Sequence, residues 1–377
     1  MRFIENFVPE LIVESPGRIN LIGEHTDYNL GYVLPTAIER KIIFKLKKNG
    51  TVKQCNLYSL GYDRGFALEL DRIVKSTIEW ENYILGVLNE ILPRTDKLLG
   101  FDCVIESGLP IGSGLSSSAA LECGLAYGLN ELFDLGLSKM DIIQLSQRAE
   151  HTFVGTQCGI MDQFASVMGR EGHAILLDCK SMDHTQIPIN ITPYRFILLN
   201  TKVSHNLASS EYNTRREECG KGVQIIQKKF PGIRSLRDVS KSILEECRRD
   251  MSRTIFNRCS FIISENDRVL AAAKALQENN LESFGRLLYE AHEGISQLYD
   301  VSCPESDFLV DFSKKYDGVL GARQIGGGFG GCILNMVYED AVEGFIKECT
   351  HAYKKKFDID LEAFEVRPSR GTFSYSL

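Results

Sequence analysis

The first hundred residues carry short apolar runs rather than long periodic stretches, a pattern that predicts strands joined by turns. Such runs occur at 11–13 and 41–46, and apolar side chains alternate with other residues through Phe101, Cys103 and Ile105. The segment Gly108-Leu109-Pro110 then interrupts the alternation. We therefore expect the last of these strands to open into a turn.

After that turn the apolar spacing becomes helical. Five residues recur at the spacing of one helix face: Leu121, Leu125, Leu129, Leu132 and Phe133. A second helix is predicted from about Lys139 to Phe153, with Ser138 as a candidate N-cap. The loop before the first helix therefore lies between a strand and a helix N-terminus, and it reads Gly112-Ser113-Gly114-Leu115-Ser116-Ser117-Ser118.

The second half of the chain is richer in helical patterns. Charged amphipathic stretches predict helices around 211–229, 239–249, 264–277 and 280–298. The glycine-rich segment Gly326–Gly331 precedes an apolar run of strand length at 332–338. The chain has 377 residues, more than one hydrophobic core usually serves, so we predict two domains, 1–195 and 196–377.

The loop at 112–118 has the features of an anion site. A glycine-rich turn at a helix start exposes backbone N–H groups and the positive end of the helix dipole, which together bind phosphate. Serine hydroxyls add donors, and one of them can also be a magnesium ligand. The Walker pattern GxxxxGK[ST] is absent, which excludes a standard P-loop. A flexible surface turn is the alternative.

Gly326, Gly328 and Gly331 satisfy the spacing GxGxxG, which raises a dinucleotide-dependent oxidoreductase as an alternative function. That fingerprint opens a helix, whereas a strand-like run follows here. Either the turn lets backbone approach another group closely, or its glycines supply positive φ angles.

A third cluster of polar groups lies near the N-terminus. Within twelve residues it supplies a cation, two carboxylates, an imidazole and several hydroxyl or amide groups, including Arg18, Glu24, His25, Thr26 and Asp27. Such a set suits a polyhydroxyl ligand, because carboxylates accept hydrogen bonds from adjacent hydroxyls while arginine and histidine donate them. A solvated polar loop is the alternative.

Net charge, cysteine usage and the length of apolar runs limit the kinds of partner that we expect. The formal net charge of −7 argues against nucleic acid and anionic lipid. Eleven scattered cysteines without a CxxC pair indicate reduced thiols in a cytoplasmic protein. The N-terminus lacks signal-peptide features, and no apolar run approaches the roughly 20 residues that span a bilayer, so we expect no membrane partner.

Several segments together resemble one family. PGRINLIGEHTDYN at 16–29 resembles the signature of the galactokinases, and GLPIGSGLSSSAALE is similar to the phosphate-binding motif of the wider GHMP kinase superfamily. QIGGGFGGC resembles the third motif of that superfamily, and GIMDQF resembles the galactokinase segment with the catalytic aspartate. LASSEY and VSCPE are also galactokinase-like. The matches follow family order from residue 16 to residue 332.

The resemblance implies an α+β, two-domain GHMP kinase fold. Its N-terminal domain would be similar to ribosomal protein S5 and its C-terminal domain would be ferredoxin-like, with the active site in the cleft between them. The implied reaction transfers phosphate from ATP, with Mg²⁺, to the anomeric hydroxyl of galactose. A monomer is expected.

Residue roles follow from the same resemblance. It implies catalytic roles for Asp162 and Arg18. Sugar contacts are implied for Glu24, His25, Thr26, Asp27 and Tyr212. ATP contacts are implied for Ser59 and for the loop of Gly112, Ser113, Gly114, Leu115, Ser116, Ser117 and Ser118. Magnesium ligands are implied at Ser118 and Glu150.

One departure concerns the sugar. Galactokinases usually read HTDYNGG, whereas Leu30 follows Asn29 here. Leucine adopts positive φ less easily than glycine, so we expect a different turn and an altered wall of the sugar pocket. A kinase for N-acetylgalactosamine, galacturonic acid or arabinose therefore remains an alternative. A regulator that binds ATP and sugar without turnover is another.

Overall fold

The computed structural model describes residues 7–110, 112–203 and 208–376. The first six residues, on which the expectation of no signal peptide rests, lie outside this part, as does Leu207 of the LASSEY segment. The described residues form thirteen strands and ten α-helices, which confirms the α+β class.

The strands are β1 Leu11–Asn20, β2 Tyr32–Val33, β3 Pro35–Lys48, β4 Gln54–Ser59, β5 Arg64–Glu69, β6 Phe101–Ser107, β7 His173–Asp178, β8 His184–Pro188, β9 Tyr194–Asn200, β10 Val319–Gln324, β11 Cys332–Tyr338, β12 Glu362–Val366 and β13 Phe373–Tyr375. The helices are α1 Glu79–Ile91, α2 Ser117–Phe133, α3 Lys139–Ala149, α4 Met161–Met168, α5 Ala208–Lys229, α6 Lys241–Glu246, α7 Arg253–Gln277, α8 Leu281–Gly294, α9 Pro304–Lys315 and α10 Val342–Phe357.

The strands form three sheets. The largest has the order β13-β1-β3-β6-β4-β5, a second has the order β10-β11-β9-β12, and a third joins β2, β7 and β8. β13 comes from the end of the chain and pairs antiparallel with β1. The sheet of β9 begins at Tyr194, while β13 returns to the sheet of β1, and the domain boundary at 195 stays a prediction.

Helix α2 lies close against the largest sheet because two of its residues lack side chains. A Cβ added to Gly124 would lie 2.3 Å from Cε2 of Phe44, and one added to Gly128 would lie 2.3 Å from Cδ1 of Leu46. Both partners are fully buried in β3. This close packing fixes where the N-terminus of α2, and the loop before it, lie relative to β1.

The predicted helices are largely confirmed, with different ends. Ser138 is the N-cap of α3 and forms a capping box with Asp141, as a candidate cap should. The helix stops at Ala149 and continues as a π-helical turn, Glu150–Val154, a feature often found at functional sites.

In the second half, two predicted ranges need correction. The helix predicted at 239–249 is shorter, because Ser240 caps α6, which ends at Glu246. The helix predicted at 264–277 begins earlier, at Arg253, because the hydroxyl of Ser252 accepts from the backbone N–H of Ile255.

Two further properties bear on function. None of the helices in the described ranges has both the length and the apolar character needed to cross a membrane. All eleven cysteines are free thiols, and Cys158 is the one that is not buried.

Candidate active site

The loop at 112–118 ends at the N-terminus of α2, as predicted. Gly112 and Gly114 have φ angles of 69° and 74°, and the N-cap residue Ser116 has a φ of 57°. The side chain of Ser116 makes no capping hydrogen bond. The first backbone N–H groups of α2 and the positive end of its dipole are therefore available to bind an anion.

The second glycine-rich turn packs directly against this loop. A Cβ added to Gly326 would lie 3.1 Å from the Cα of Gly114, and one added to Gly331 would lie 3.5 Å from the carbonyl oxygen of Ser113. Both glycines also have positive φ angles, so both predicted reasons for the glycines apply. Because β11 rather than a helix follows the turn, the interpretation as a dinucleotide fingerprint is wrong.

Asp162, in the first turn of α4, joins three parts of the site. Arg18 donates from Nε to Oδ1 and from Nη2 to Oδ2, each at 2.7 Å, in a bidentate pair. The third nitrogen of Arg18, Nη1, donates to the carbonyl of Gly114 at 2.6 Å. The hydroxyl of Ser116 donates to Oδ2 of Asp162 at 2.5 Å. One carboxylate thus links β1, α4 and the phosphate-type loop.

A cavity of about 140 Å³ opens beside this pair. It contains most of the residues for which the sequence predicts a sugar or catalytic role, together with residues that were not predicted. The lining residues are Arg18, Glu24, His25, Asp27, Glu150, Thr156, Cys158, Gly159, Met161, Asp162, Tyr212, Gly326 and Gly327.

Two predicted residues use their hydroxyls within the protein, and a third lies at the end of a strand. The hydroxyl of Thr26 donates to the carbonyls of Gly23 and Tyr32, so it shapes the turn instead of facing the cavity. The hydroxyl of Ser113 donates to the carbonyl of Pro110 at 2.7 Å. Ser59 ends β4, which runs parallel to β6, so it lies at the sheet edge from which the loop at 112–118 departs. Its contact with ATP stays a prediction.

Glu24 is held by groups that the sequence analysis missed. Its Oε2 accepts from Arg323 and, at 2.8 Å, from Nδ2 of Asn20, and its Oε1 accepts from the N–H of Gly326 at 3.0 Å. Burial raises the pKa of Glu24, and Arg323 opposes that shift. Arg323, fully buried on β10, also donates to the carbonyls of Asn20 and Leu21. An arginine directly after the uncharged segment 319–322 of a strand is the signal that could have revealed it.

Asp27 is buried against the bare backbone of Gly159. A Cβ added to Gly159 would lie 1.8 Å from Oδ2 of Asp27. Burial, and then the negative charge of Asp162, raises the pKa of Asp27 to about 6. The N–H groups of Tyr28 and Met161 oppose the shift by donating to the carboxylate.

This shift predicts a pH-dependent stability. The pKa of folded Asp27, about 6, lies above its ordinary value of 3.8, so between these values the native state binds more protons than the unfolded chain. The contribution of Asp27 to the free energy of unfolding therefore falls as pH rises from about 4 to about 6. The free energy of unfolding of Asp27→Asn minus that of wild type should therefore be roughly 2 kcal/mol greater at pH 7.5 than at pH 4, as measured by urea unfolding. Asp134→Asn, at an exposed site, is the control. If Asp27→Asn differs from wild type by the same free energy of unfolding at pH 4 and at pH 7.5, the pKa of Asp27 is not raised.

Glu150 is the predicted metal ligand that faces the cavity. Burial, and then the charge of Asp162, raises the pKa of Glu150 to about 7, while hydrogen bonds from Cys158, Gln163 and Ser118 oppose the shift. The hydroxyl of Ser118 therefore lies beside the carboxylate of Glu150, as the predicted pair requires. Gln163 also donates toward Glu122, a buried glutamate that the sequence analysis missed.

The expectation that Leu30 alters the wall of the sugar pocket is wrong. Leu30 adopts φ 58° and ψ 29°, the left-handed conformation that glycine takes easily. Its side chain is 40% exposed and lies outside the lining of the cavity. The turn accepts the leucine at an energetic cost, and the wall of the cavity does not include it.

Leu30→Gly should therefore stabilise the protein. Relief of the left-handed strain outweighs the added freedom of glycine in the unfolded chain, so we expect a gain of about 0.5–1 kcal/mol. Thermal unfolding of both proteins measures it. Leu270→Gly, at a similarly exposed position inside α7, should instead lose about 1 kcal/mol. A loss of stability in Leu30→Gly would show that the turn is unstrained.

The fold and this site define a kinase of the GHMP type, and matches to family models agree. The model of the GHMP kinases N terminal domain matches residues 82–170, and that of the GHMP kinases C terminal matches residues 272–355. The galactokinase galactose-binding signature matches residues 1–48. A crystal structure of mevalonate kinase shares the fold, with a TM-score of 0.66 at 19% identity over 94% of this chain and 98% of that chain.

Individual relatives narrow the class. The chain is 42% identical to the galactokinase of Thermosipho africanus over 95% of this chain and 98% of the relative. It is 39% identical to that of Thermotoga maritima over the same shares. The crystal structure of Lactococcus lactis galactokinase complexed with galactose superposes with a TM-score of 0.95 at 33% identity, covering 100% of this chain and 98% of that one. The chain belongs to the galactokinase family.

Proposed function

We propose that the chain transfers the γ-phosphoryl group of ATP to the anomeric hydroxyl of D-galactose and releases galactose 1-phosphate and ADP. The observation that carries the proposal is the position of Asp162, which lines the sugar-sized cavity and is bonded to Ser116 at the N-terminus of α2. The acceptor and the phosphate donor thus meet at one carboxylate.

Asp162 has the contacts of a group that orients and deprotonates a hydroxyl. A carboxylate offers about four lone-pair sites, and Arg18 and Ser116 use three of them. The remaining site can accept from the anomeric hydroxyl. As that oxygen bonds to the γ-phosphorus and the bond to the departing ADP oxygen breaks, the proton passes to Asp162. Positioning of this kind supplies most of the catalysis of phosphoryl transfer.

Arg18 supplies a positive charge beside Asp162 and the phosphate-binding loop. Burial disfavours its charge, but the charge and hydrogen bonds of Asp162, together with the charges of Glu24 and Asp27, outweigh burial and raise the pKa of Arg18. The guanidinium therefore stays positive, pairs with the carboxylate of Asp162, and reaches the loop through the carbonyl of Gly114. It lies where it can offset charge on the transferring group.

The residues at Glu150 and Ser118 fit a magnesium ion that arrives with ATP. Mg²⁺ commonly takes one or two protein ligands plus phosphate oxygens and water. Burial, and then the charge of Asp162, raises the pKa of Glu150, and a bound cation would offset both effects. Within the described ranges no set of three or more His, Cys, Asp or Glu side chains is arranged to hold a metal by itself. When bound, the ion would neutralise charge on the β and γ phosphates.

Charge and space favour galactose over the alternative sugars. Arg18 at the cavity and Arg323 behind Glu24 already bind carboxylates and carbonyls, so the carboxylate of galacturonic acid would lack a cation. The cavity of about 140 Å³ leaves little room for the acetamide of N-acetylgalactosamine. Arabinose fits, but without the sixth carbon it leaves polar groups of the site unpaired.

A sugar panel with Mg²⁺ and ATP tests the function. ADP release should be fastest with galactose, slower with arabinose and near background with the other two sugars. A higher kcat/KM for any of these three would replace galactose as the substrate. Binding of galactose without turnover would favour a regulator, although Arg18, Asp162, Glu150 and Ser116–Ser118 all meet at the site. Size-exclusion chromatography tests the expected monomer.

A further inference from the structure

Two consecutive residues of α7, Glu265 and Asn266, bind the two ends of the turn at 23–32. Oε1 of Glu265 accepts a hydrogen bond from the backbone N–H of Gly23 at 3.0 Å. Oδ1 of Asn266 accepts from the backbone N–H of Tyr32 at 2.8 Å. Neither side chain lines the cavity or takes part in the proposed phosphoryl transfer. The turn between these two bonds supplies three residues of the cavity wall: Glu24, His25 and Asp27.

The turn is closed from within by Thr26. Its hydroxyl bonds to the carbonyls of Gly23 and Tyr32, the same residues whose N–H groups bind α7. The backbone N–H of Gly31 also donates to the carbonyl of Thr26 at 2.8 Å. The turn is therefore one closed unit, and the two bonds to α7 attach that unit to the second half of the chain.

Both bonds to α7 have a fixed direction. A backbone N–H group can only donate, so the oxygens of Glu265 and Asn266 must be the acceptors. The other end of each side chain is bound as well. Oε2 of Glu265 accepts from Nε of Arg268 at 2.6 Å, and Nδ2 of Asn266 donates to the carbonyl of Ile262 at 3.0 Å. Glu265 is fully buried and Asn266 is 8% exposed, so neither can turn away without leaving a buried polar group unpaired.

Close packing leaves no space between α7 and the two ends of the turn. Val269 lies about one helical turn after Glu265, and a Cβ added to Gly23 would lie 2.8 Å from Cγ2 of Val269. A Cβ added to Gly31 would lie 2.3 Å from Oδ1 of Asn266. The backbone of the turn thus lies directly on α7, and the position of α7 fixes the position of the turn.

The groups proposed for phosphoryl transfer have other supports. Asp162 is held by Arg18 and Ser116, through bonds that do not involve α7. Loss of a bond between α7 and the turn should therefore displace the side chains that face the sugar, while Asp162 and the loop at 112–118 stay in place. Affinity for the sugar should then fall, with little change in kcat or in affinity for ATP.

We propose that Glu265 and Asn266 are positioning residues for the sugar side of the active site. They attach the turn at 23–32 to α7 and so set where its cavity-lining side chains meet the sugar hydroxyls. The identity of the ligand rests on the proposed function, whereas the attachment of the turn does not. Neither residue touches the sugar or the reacting atoms.

Two double variants that differ in one side chain test the bond to Gly23. In the background of Arg268→Met, which removes the other partner of Glu265, Glu265→Gln keeps an oxygen for Gly23 and Glu265→Met does not. Both double variants lose the same ion pair, so a purely structural role would not distinguish them. The Kd and KM for galactose should be about 3–10-fold higher in Glu265→Met/Arg268→Met than in Glu265→Gln/Arg268→Met, at similar kcat. Equal values in the two would overturn the role of Glu265.

Asn266→Leu tests the bond to Tyr32, because leucine has a similar branched shape without a polar atom. The KM for galactose should rise about 3–10-fold, while kcat changes less than about twofold and the KM for ATP stays the same. Asn257→Leu, the same substitution at a half-buried position nine residues earlier on α7, is the control and should change none of these constants. A fall in kcat at an unchanged KM for galactose in Asn266→Leu would overturn the positioning role of Asn266.

Hydrogen exchange reports the attachment of the turn without any sugar. In protein labelled with ¹⁵N-glycine and ¹⁵N-tyrosine, the amides of Gly23 and Tyr32 should exchange slowly, because both donate to buried side chains. The amide of Gly23 should exchange faster in Glu265→Met/Arg268→Met than in Glu265→Gln/Arg268→Met, and that of Tyr32 faster in Asn266→Leu than in wild type. Exchange of either amide in wild type at the rate of an exposed loop would overturn the proposal, even if no variant folds.

The two proposals fail in different ways. If wild type neither binds nor phosphorylates galactose, the proposed function fails, while hydrogen exchange still reports the attachment of the turn. If wild type phosphorylates galactose and the two double variants bind it equally, the inference about Glu265 fails alone.

Discussion

We expect Asp162→Asn to lose at least about 100-fold in kcat with galactose, because an amide cannot take the proton of the attacking hydroxyl. The substitution keeps the shape of the side chain, so Arg18 is not left facing an empty space, as it would be in Asp162→Ala. The loop at 112–118 and the N-terminus of α2 keep their backbone donors. Affinity for ATP, measured by calorimetry, should therefore change little.

The control for this variant is Asp134→Asn, at the exposed C-terminal end of α2. It removes the same charge far from the cavity and should keep wild-type turnover. A near wild-type kcat in Asp162→Asn would reject the base role of Asp162. Loss of ATP affinity in parallel with kcat would instead assign Asp162 to the architecture of the loop.

The second large effect should be on stability. Arg323→Met leaves the carboxylate of Glu24 buried without its cation and the carbonyls of Asn20 and Leu21 without their donor. Breaking a buried ion pair from one side costs about 3–5 kcal/mol, so the free energy of unfolding in urea should fall by this amount. The KM for galactose should rise as well, since Glu24 lines the cavity.

Two comparisons isolate the buried pair. Adding Glu24→Gln to Arg323→Met should recover part of the lost stability, because the unpaired charge is then gone. Arg367→Met breaks an exposed pair with Glu365 and should lower the free energy of unfolding far less than Arg323→Met does. Equal losses in Arg323→Met and Arg367→Met would show that the buried pair contributes no more than a surface one.

Local patterns predicted the parts of the fold that local forces decide. The periodicity before Phe133 located α2, and Ser138 with Asp141 supplied a cap that the structure confirms. The same holds for the loop at 112–118, because a helix N-terminus after glycines binds anions in any fold. The family resemblance added Asp162 and Arg18, which a local pattern alone does not distinguish from an ordinary ion pair.

Contacts between distant segments were beyond such patterns. Glu24 and Arg323 are 299 residues apart, and no local sequence pattern near either residue predicts that the two form an ion pair. The contact of Asp27 with Gly159 and the bond between the hydroxyls of Tyr28 and Tyr299, 271 residues apart, were beyond local patterns for the same reason. The sequence predicted a different turn at Leu30, whereas Leu30 adopts the left-handed conformation, and its direction away from the cavity depends on the packing of the whole turn.

The pairing of β13 with β1 has a consequence for how the molecule is made. Thr372, just before β13, bonds to the hydroxyl of Ser15 at 3.0 Å and to the carbonyl of Ser166 at 2.9 Å. During synthesis, β1 leaves the ribosome long before residues 372–375 are translated. The edge of β1 that later pairs with β13 therefore has no partner strand at that stage. An open edge of this kind can recruit strands from other nascent chains. Slowing translation of the last residues should therefore increase aggregation rather than improve folding.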